Sequence, residues 1–259
     1  MKTLERKIIT NRSRNLNLTN TMKIESQLND LRLPGMIRRW NSLKETKQLN
    51  GLTLQEGLEL LLQAEQEYRV NRKRDRLTQQ ANFRYQAILN ELAYTPERNL
   101  DKGTIALLSD NSYISKGEFI LITGATGCGK SFVASALGQQ ACSMGYKTLY
   151  TSLKKLMTKL KLSRADGTYL KLIDKISKQH LLILDDFGLY PLEQQQSLDL
   201  MEVIEDRHGK NATIMVSQLP VSEWYDVLQE STIADAIMDR VVHTSHRIEL
   251  KGESLRKIK

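Results

Sequence analysis

Apolar residues recur at helical spacing in the first part of the chain, from Ile24 to Leu33 and again from Met36 to Gln48. Pro34-Gly35 is expected to break the chain between these two helices. Thr53-Leu54-Gln55-Glu56 has the pattern of a capping box, in which the hydroxyl and the carboxylate each satisfy an N–H group left open at a helix start. A long helix is predicted to follow and to end near residue 93. Its apolar positions are Leu54, Leu58, Leu61, Leu62, Tyr68, Leu77, Ala81, Tyr85, Ile88, Leu89 and Leu92.

Further along, short apolar runs alternate with helical patterns. The predicted order is strand 118–123, helix 130–144, strand 146–151, helix 153–162, strand 180–184, helix 192–207, strand 212–216 and strand 246–250. Alternation of this kind predicts an α/β fold, a parallel sheet covered by helices on both faces. The expected organisation is a disordered lead (1–21), with Met22 a possible true start, an all-helical domain (22–95), a linker (96–112) and the α/β domain (113–259).

Charge is distributed unevenly between these parts. The chain of 259 residues has a net charge of +8, and its first 100 residues hold 18 Lys and Arg against 11 Asp and Glu, a net +7. The excess favours a polyanion as the partner of the N-terminal domain. The longest apolar runs are far short of the ~20 residues that span a bilayer, and no secretory signal is apparent, so a cytoplasmic protein is predicted. Two cysteines and four scattered histidines predict no structural metal.

A phosphate-binding motif lies between the first predicted strand and its helix. The segment matches G-x-x-x-x-G-K-[ST] at every position and consists of Gly124, Ala125, Thr126, Gly127, Cys128, Gly129, Lys130 and Ser131. The glycines allow backbone N–H groups to surround phosphates, Lys130 is expected to reach the β and γ phosphates, and Ser131 is expected to bind Mg²⁺. Phe132 is included among the expected nucleotide contacts. The G-x-G-x-x-G fingerprint of nicotinamide enzymes is not matched here.

Acidic and polar residues follow two of the later strands. Asp185 is the expected Mg²⁺ partner, and Asp186 is the candidate to polarise an attacking water; an N-cap with a solvated loop is the alternative. Ser217 and Gln218 end the strand at 212–216 and are candidates to sense the γ phosphate or to hold the water, because the carboxyl ends of parallel strands face the ligand crevice. A polar turn that merely ends the strand is the alternative.

A basic run lies on the long predicted helix. Arg69, Arg72, Lys73 and Arg76 recur at i, i+3, i+4 and i+7, so they share one face. Contact with the DNA phosphate backbone is the favoured interpretation, and it would give affinity without sequence choice. A solvated charged face, with acidic residues nearby, is the alternative.

Together these motifs resemble an AAA+ ATPase, and more closely the IstB transposition helper ATPases, which are similar to the DnaC helicase loaders. The most specific segments are Leu31-Arg32-Leu33-Pro34-Gly35-Met36, Ser217-Gln218-Leu219-Pro220 and Gly252-Glu253-Ser254-Leu255-Arg256. The resemblance implies that Arg240 is an arginine finger for a neighbouring subunit and that Arg256 is a second sensor of the γ phosphate. For Arg240, an ion pair with Asp235 or Asp239 is the alternative.

This sequence departs from the AAA+ pattern in two places. Asp185-Asp186 stands where Asp-Glu is usual, and the stretch after the last strand, 251–259, is shorter than the usual helical lid. The resemblance implies an ATP- and Mg²⁺-dependent regulator of transposition that assembles as a homo-oligomer on duplex DNA, in the nucleoid, and presents the DNA to a transposase, with hydrolysis resetting the assembly. The alternatives are a helicase loader, a small-molecule P-loop kinase and a nucleotide-gated scaffold that scarcely hydrolyses ATP.

Overall fold

The computed structural model describes residues 23–243 and 245–255. The chain divides into two compact units, Met1–Lys73 and Arg74–Lys259. The predicted disordered lead and the possible start at Met22 lie outside the described residues. The expected linker over 96–112 is wrong, because that stretch contains a helix whose apolar residues belong to the core of the second unit.

Among the described residues of the first unit, the regular elements are all helices; this unit ends at Lys73, whereas the predicted helical domain extends to residue 95. Helix α1 covers residues 23–30, α2 covers Pro34–Glu45, and α3 covers Leu54–Ala81 and continues into the second unit. The capping box at the start of α3 is confirmed, because Thr53 N donates to Glu56 Oε2 at 2.7 Å and Glu56 N donates to Thr53 Oγ1 at 3.3 Å. These two bonds satisfy N–H groups that the helix itself cannot pair.

Pro34 and Gly35 open helix α2 rather than only separating it from α1. Proline suits the first turn of a helix because its missing N–H would have no partner there. At Gly35 a Cβ atom would lie 2.5 Å from the carbonyl oxygen of Ala64 and 2.6 Å from Cα of Glu65, so glycine allows α2 to approach the backbone of α3. The contact with α2 therefore lies along Ala64, Glu65 and Tyr68 of α3.

The predicted apolar stripe of α3 is only partly buried. Leu54, Leu58 and Leu62 are 90%, 51% and 47% exposed, because α3 packs on α2 through the neighbouring face described above. Leu77 and Ala81, near the other end of the helix, are buried as expected.

Helix α3 ends at Ala81, so the prediction that it extends to residue 93 is wrong. Asn82 takes a left-handed backbone with φ of 56°, a conformation that asparagine tolerates better than most residues. The apolar residues that follow then pack on the second unit instead of continuing the helix. Phe83 lies edge-on to Tyr150, with 6.3 Å between the ring centroids, and Gly138 leaves the space that its ring occupies.

The second unit is built on a five-stranded parallel sheet with the order β2-β3-β4-β1-β5. Its elements in chain order are α4 (Lys102–Ser109), α5 (Ser112–Lys116), β1 (Phe119–Gly124), α6 (Lys130–Ser143), β2 (Thr148–Ser152), α7 (Leu153–Ala165), α8 (Tyr169–Ser177), β3 (Leu181–Phe187), α9 (Gln194–Arg207), β4 (Ala212–Ser217), α10 (Trp224–Leu228), α11 (Ser231–Val242) and β5 (Ser245–Leu250). The α/β prediction is confirmed, although α4, α5, α8, α10 and α11 were not predicted.

Hydrophobic residues on both faces of the sheet form the core of this unit. Alternate residues of β1 point to opposite faces: Phe119 and Leu121 join the cluster that packs with α7 to α11, whereas Ile120 and Ile122 join the cluster that packs with α4 and α6. Because both faces of the sheet are buried, a ligand can approach it only at the ends of the strands. Among the described residues, no helix is long and apolar enough to cross a membrane.

Candidate active site

The glycine-rich loop joins β1 to α6 at the carboxyl edge of the sheet. Gly124, Gly127 and Gly129 have φ of 139°, 85° and 98°, values that an L-residue with a Cβ rarely adopts. The loop turns directly into the helix α6, which begins at Lys130. In general the first N–H groups of a helix have no carbonyl of a preceding turn to bond. N–H groups exposed by such a loop, together with the partial positive charge of a helix start, favour a phosphate.

Lys130 lies inside the loop, as the motif requires. Its Nζ donates to the carbonyl oxygens of Gly124 and Ala125, each at 2.8 Å, and the residue is buried. The ammonium group is therefore held within the loop rather than extended into solvent.

The stretch after β5 contacts the opposite side of the loop. Leu255 N donates to the Gly127 carbonyl at 3.1 Å, and a Cβ atom at Gly127 would lie 2.1 Å from Oγ of Ser254. Glycine at this position therefore permits both the left-handed turn and the close approach of Ser254. Arg256, the predicted second sensor, lies outside the described residues.

A cavity of about 700 Å³ opens beside the loop, within the usual size range of small-molecule sites. The predicted residues that line it are Thr126, Gly127, Gly129, Lys130, Ser131, Phe132, Asp185, Asp186, Ser217 and Gln218. Cys128 differs from the rest of the loop because its side chain is buried in the core. Its carbonyl oxygen accepts a hydrogen bond from the Arg98 guanidinium at 3.1 Å.

Asp185 and Asp186 end β3 at an irregularity in the sheet. The register between β3 and β4 shifts between Leu184 and Phe187, and Asp186 has φ of 60°. Bulges of this kind redirect side chains and occur often beside active sites. Asp185 is buried and its Oδ1 accepts the N–H of Asp186 at 2.8 Å, whereas Asp186 is partly exposed toward the cavity.

Two residues that were not predicted bind this acidic pair. Tyr150 on β2 donates its hydroxyl to Oδ2 of Asp185 and also bonds Ser131. Arg84, three residues after the end of α3, places Nη1 3.4 Å from Oδ2 of Asp185 and 3.3 Å from Oδ2 of Asp186. The two expected Mg²⁺ ligands, Ser131 and Asp185, are thus joined through one tyrosine hydroxyl.

The electrostatics of the pair follow from burial and from these neighbours. Desolvation and the adjacent Asp185 charge raise the pKa of Asp186, while Arg84 and Lys130 oppose the increase. Burial, and then the Asp185 charge, raise the pKa of Tyr150 far above its usual value. The phenol therefore keeps its proton and acts as a donor to Asp185.

At the tip of β4 the side chains of Ser217 and Gln218, which were given the same candidate roles, make different contacts. Ser217 is buried; its Oγ donates to the Phe187 carbonyl at 2.8 Å and accepts the N–H of Leu219 at 3.0 Å. These bonds fix the end of the strand, so we expect a structural role for the Ser217 hydroxyl, and its catalytic role stays an untested prediction. Gln218 is the side chain that reaches the loop, because its Oε1 accepts the hydroxyl of Thr126 at 2.6 Å.

Arg240 lies on α11 and is not among the described residues that line the cavity. Its guanidinium pairs with Glu205 of α9 and donates to the carbonyl of Ala236 at 2.7 Å. The ion-pair partner of Arg240 is therefore Glu205, and not Asp235 or Asp239 as in the alternative given above. A residue that serves a neighbouring subunit is expected to lie away from its own cavity, so the position is compatible with the finger implied by the resemblance.

The predicted basic residues of α3 are all exposed. Arg69 forms an ion pair with Glu65 at 2.8 Å, and Arg72 lies 6.0 Å from the ring centroid of Tyr68. Lys73 and Arg76 belong to the same exposed run. Their role as DNA contacts stays a prediction.

Comparison with known proteins identifies the family of this chain. The model for IstB-like ATP binding proteins matches residues 26–259. The chain belongs to this family. A protein of Sinorhizobium fredii (strain NBRC 101917 / NGR234) whose name describes it as an insertion sequence ATP-binding protein is 41% identical over 231 residues, which cover 89% of this chain and 94% of the relative. A relative named for the insertion sequence IS1162 of Pseudomonas fluorescens is 40% identical, covering 76% and 86%.

Solved structures agree on the fold of this IstB-like chain. The DnaC helicase loader has a TM-score of 0.54 and 19% identity, covering 64% of this chain and 96% of that one. The replication initiator DnaA bound to AMPPCP and single-stranded DNA has a TM-score of 0.56 and 17% identity, covering 66% and 52%. At these identities the similarity shows the fold alone, and the predicted α/β fold class is confirmed.

The donor set suits a Mg²⁺-bound triphosphate. Backbone N–H groups and Lys130 are donors suited to anionic phosphate oxygens. The Ser131 hydroxyl and the Asp185 carboxylate are hard oxygen ligands of the kind that Mg²⁺ prefers. Two aromatic rings at the cavity, Tyr85 and Phe132, lie 6.1 Å apart between centroids. They offer an apolar place for a planar base.

Sequence reasoning missed Arg84, Tyr85, Arg98 and Tyr150, although all four contact the loop or the acidic pair, or line the cavity. The predicted helix includes Arg84 and Tyr85, and Tyr150 lies within the predicted strand 146–151 with no role assigned to it. The signal for Arg84 and Tyr85 was Asn82, a residue suited to ending a helix in the left-handed conformation.

Proposed function

We propose that this IstB-like protein is a Mg²⁺-dependent ATPase that binds duplex DNA as a homo-oligomer and regulates transposition. One observation carries the ATPase assignment: the loop with Lys130 and the Asp185-Asp186 pair lie on the same cavity. Phosphoryl transfer is favoured by positive charge beside the transferred anionic group and by a residue, such as a carboxylate, that orients the attacking water. The cavity contains both the positive charge, on Lys130, and the carboxylates, on Asp185 and Asp186.

Each residue then has a distinct role toward ATP. Lys130 and the loop N–H groups bind the β and γ phosphates, and Ser131 and Asp185 hold Mg²⁺, which when bound neutralises charge on the phosphate oxygens. Asp186 orients and polarises the water, and Gln218, linked to Thr126, is positioned to respond to the γ phosphate. Tyr85 and Phe132 are proposed to receive the adenine.

An inter-subunit site completes this assignment. Arg240 is proposed to reach the nucleotide of a neighbouring copy, which would require it to exchange Glu205 for the γ phosphate. Charge stabilisation by an arginine supplied in trans is a large effect in other phosphoryl-transfer proteins. ATP would therefore order the oligomer, and hydrolysis would reset it.

DNA contact is supported by two basic surfaces, each described within its own element. The first is the exposed run on α3, and the second lies on α7 and α8 in the ATPase unit. The exposed lysines of this second surface are Lys154, Lys155, Lys159, Lys161, Lys171, Lys175 and Lys178. The nearby acids Asp166 and Asp174 leave a clear positive excess. Phosphate contacts from such surfaces are independent of sequence, which suits a protein that gathers DNA for another enzyme.

The partner proposed for this assembly is a transposase, and cytoplasmic action on the nucleoid follows from that assignment. The names of the insertion-sequence relatives support this choice. A helicase loader is the second candidate, favoured by the fold it shares with DnaC. Capture of a replicative helicase by the full chain would select the loader, and capture of the transposase encoded beside its gene would select the transposition regulator.

The ATPase assignment is tested by turnover with and without duplex DNA in the parent and in Lys130→Ala. We expect DNA to stimulate phosphate release by the parent, and the variant to retain its circular-dichroism spectrum while losing ATP binding. Lys116→Ala, which removes an exposed lysine paired with Glu118 outside both basic surfaces, is the matched control. Equal ATP affinity in parent and Lys130→Ala would disprove the phosphate site. Single-turnover rates near zero in the parent would indicate a scaffold, and stimulation by a small acceptor molecule would indicate a kinase.

A further inference from the structure

Within the described chain, the guanidinium of one arginine, Arg84, lies beside the acidic pair at the end of β3. Asp185 and Asp186 are adjacent carboxylates, and like charges this close repel each other unless a cation lies between them. Arg84 supplies that charge, because one nitrogen, Nη1, lies within 3.4 Å of Oδ2 of both residues. The same carboxylates are the ones expected to serve Mg²⁺ and the attacking water.

Tyr150 reinforces this arrangement from the other side. Its hydroxyl bonds Asp185 and Ser131, so the oxygen atoms assigned to the metal are already engaged by side chains of the protein. Oδ2 of Asp185 accepts from both the phenol and the guanidinium, so this oxygen has no lone pair left for a divalent cation. Binding of the metal through Oδ2 therefore requires at least one of these contacts to be given up.

The contact that Arg84 makes with the two carboxylates can be broken at little cost. Its side chain is 40% exposed, whereas Asp185 is almost fully buried, so the guanidinium regains water when it moves. It lies in the non-helical stretch after α3, and its Cζ is 5.9 Å from the ring centroid of Tyr85. The aromatic face offers a neighbouring position for the released cation.

We propose that Arg84 is a built-in counter-ion of the Asp185-Asp186 pair that competes with Mg²⁺ and so sets the magnesium concentration at which the site is completed. Arg84 is thereby a positioning residue that acts through the two carboxylates. The idea rests on the proposed function, since it assigns Mg²⁺ to these residues. It goes beyond that function in naming what the metal must displace.

Competition makes a prediction opposite to that for an arginine that binds the nucleotide. If Arg84 holds the carboxylates against the metal, its removal lowers the Mg²⁺ concentration needed for nucleotide binding. If Arg84 contacts the phosphates, its removal weakens binding at every Mg²⁺ concentration. The sign of the effect therefore distinguishes the two roles.

The test uses the full chain and the fluorescent analogue mant-ATP at a fixed concentration while MgCl₂ is titrated. For Arg84→Ala we expect the half-saturating Mg²⁺ concentration to fall roughly twofold to fivefold, the range for loss of a partly exposed ion pair. Arg84→Lys, which keeps the charge but not the planar shape, should lie between this variant and the parent. The control is Arg74→Ala, which removes an exposed arginine paired with Asp75 outside the site.

A second measurement needs no nucleotide. The melting temperature of Arg84→Ala should be lower than that of the parent in EDTA, because the carboxylates repel, and the difference should shrink in MgCl₂. Arg84→Gln provides the same comparison if the alanine variant does not fold. An unchanged or increased half-saturating Mg²⁺ concentration in a folded Arg84 variant would overturn the proposal. A parent that binds no mant-ATP at any Mg²⁺ concentration would instead refute the proposed function, and this proposal with it.

Discussion

The carboxylate of Glu65 in α3 accepts hydrogen bonds from the backbone N–H groups of Gly35, at 2.7 Å, and Met36, at 3.2 Å, at the start of α2. The N–H groups of a first helical turn have no partner inside their own helix, and here a residue thirty positions away supplies one. A buried glutamate thus caps a neighbouring helix. The negative charge also lies at the positive end of the dipole of α2.

Replacing Glu65 with alanine should therefore destabilise the first unit. We expect a loss of about 1 to 2 kcal/mol, because two buried N–H groups lose their acceptor. Thermal unfolding followed by circular dichroism measures the change. The control is Glu67→Ala, since Glu67 is exposed and bonds only Gln63 among the contacts described for its side chain. Equal stability of the two variants would show that the cap contributes nothing.

Ser217 and Gln218 make separable predictions, although they are neighbours at one strand tip. Ser217→Ala should cost about 1 to 2 kcal/mol of stability, because the Leu219 N–H loses its buried acceptor, and should leave the single-turnover rate nearly unchanged. Gln218→Ala should fold normally and slow hydrolysis, because the link to Thr126 is lost.

Global unfolding and single-turnover hydrolysis, measured on both variants, resolve the two roles. A slow Ser217→Ala protein of normal stability would reverse the assignment and restore the serine as the functional residue.

The sequence predicted the strands and the motif better than the surroundings of the site. Short apolar runs bounded by polar residues identify buried strands, and the spacing from Gly124 to Ser131 is fixed by the geometry of phosphate binding. Tyr85 and Leu89 continued the helical period of α3 but belong to a non-helical stretch that packs on the sheet, so periodicity placed them wrongly. Tertiary packing decided the outcome there.

Long-range contacts explain the other errors. Nothing near Arg84 in the sequence indicates a carboxylate partner, because Asp185 lies 101 positions away. The lysines of α7 and α8 were hidden by a near-neutral total, since acidic residues elsewhere in the same part of the chain cancel them. Ser217 was chosen because a strand tip faces the crevice, but its hydroxyl is used by the backbone.

DNA binding can be divided between the two basic surfaces by its dependence on salt. Each phosphate contact contributes about 0.9 to the slope of log K against log[salt], so joint removal of Arg69, Arg72, Lys73 and Arg76 should reduce the slope by roughly 3 to 4. The equivalent change on the second surface replaces Lys159, Lys161, Lys171 and Lys175.

The control for net charge replaces four exposed lysines elsewhere, Lys102, Lys116, Lys210 and Lys251. Fluorescence anisotropy of a labelled duplex gives the slopes. A basic surface whose removal changes the slope no more than the control does is merely solvated.

Arg240 should act on a neighbouring subunit. Arg240→Ala is expected to bind ATP normally and to lose turnover by a factor on the order of 10³, the effect of an arginine finger in other systems. Mixing it with Lys130→Ala should restore part of the activity, because an intact finger then meets an intact loop.

Glu205→Ala removes the partner of Arg240 within the chain and isolates the ion pair from the finger. If Glu205→Ala is as inactive as Arg240→Ala, and no mixture recovers turnover, the arginine stabilises α9 and α11 rather than a shared site.

The last prediction concerns Asp186, which stands where AAA+ proteins usually have glutamate. Its side chain faces the cavity from a left-handed backbone, a conformation that asparagine adopts as readily as aspartate, so Asp186→Asn should preserve the fold. Loss of the charge that polarises the water should slow the chemical step by ~10² or more, with ATP binding and assembly retained.

Asp185→Asn should behave differently, because it removes a proposed metal ligand and so impairs Mg²⁺-dependent binding as well as turnover. Glu25→Gln, at an ion pair with Lys44 outside both basic surfaces, controls for the loss of one carboxylate. Single-turnover hydrolysis with DNA present is the decisive measurement. If Asp186→Asn is as fast as the parent, this carboxylate is only a partner of Arg84, and Gln218 becomes the first candidate to orient the water.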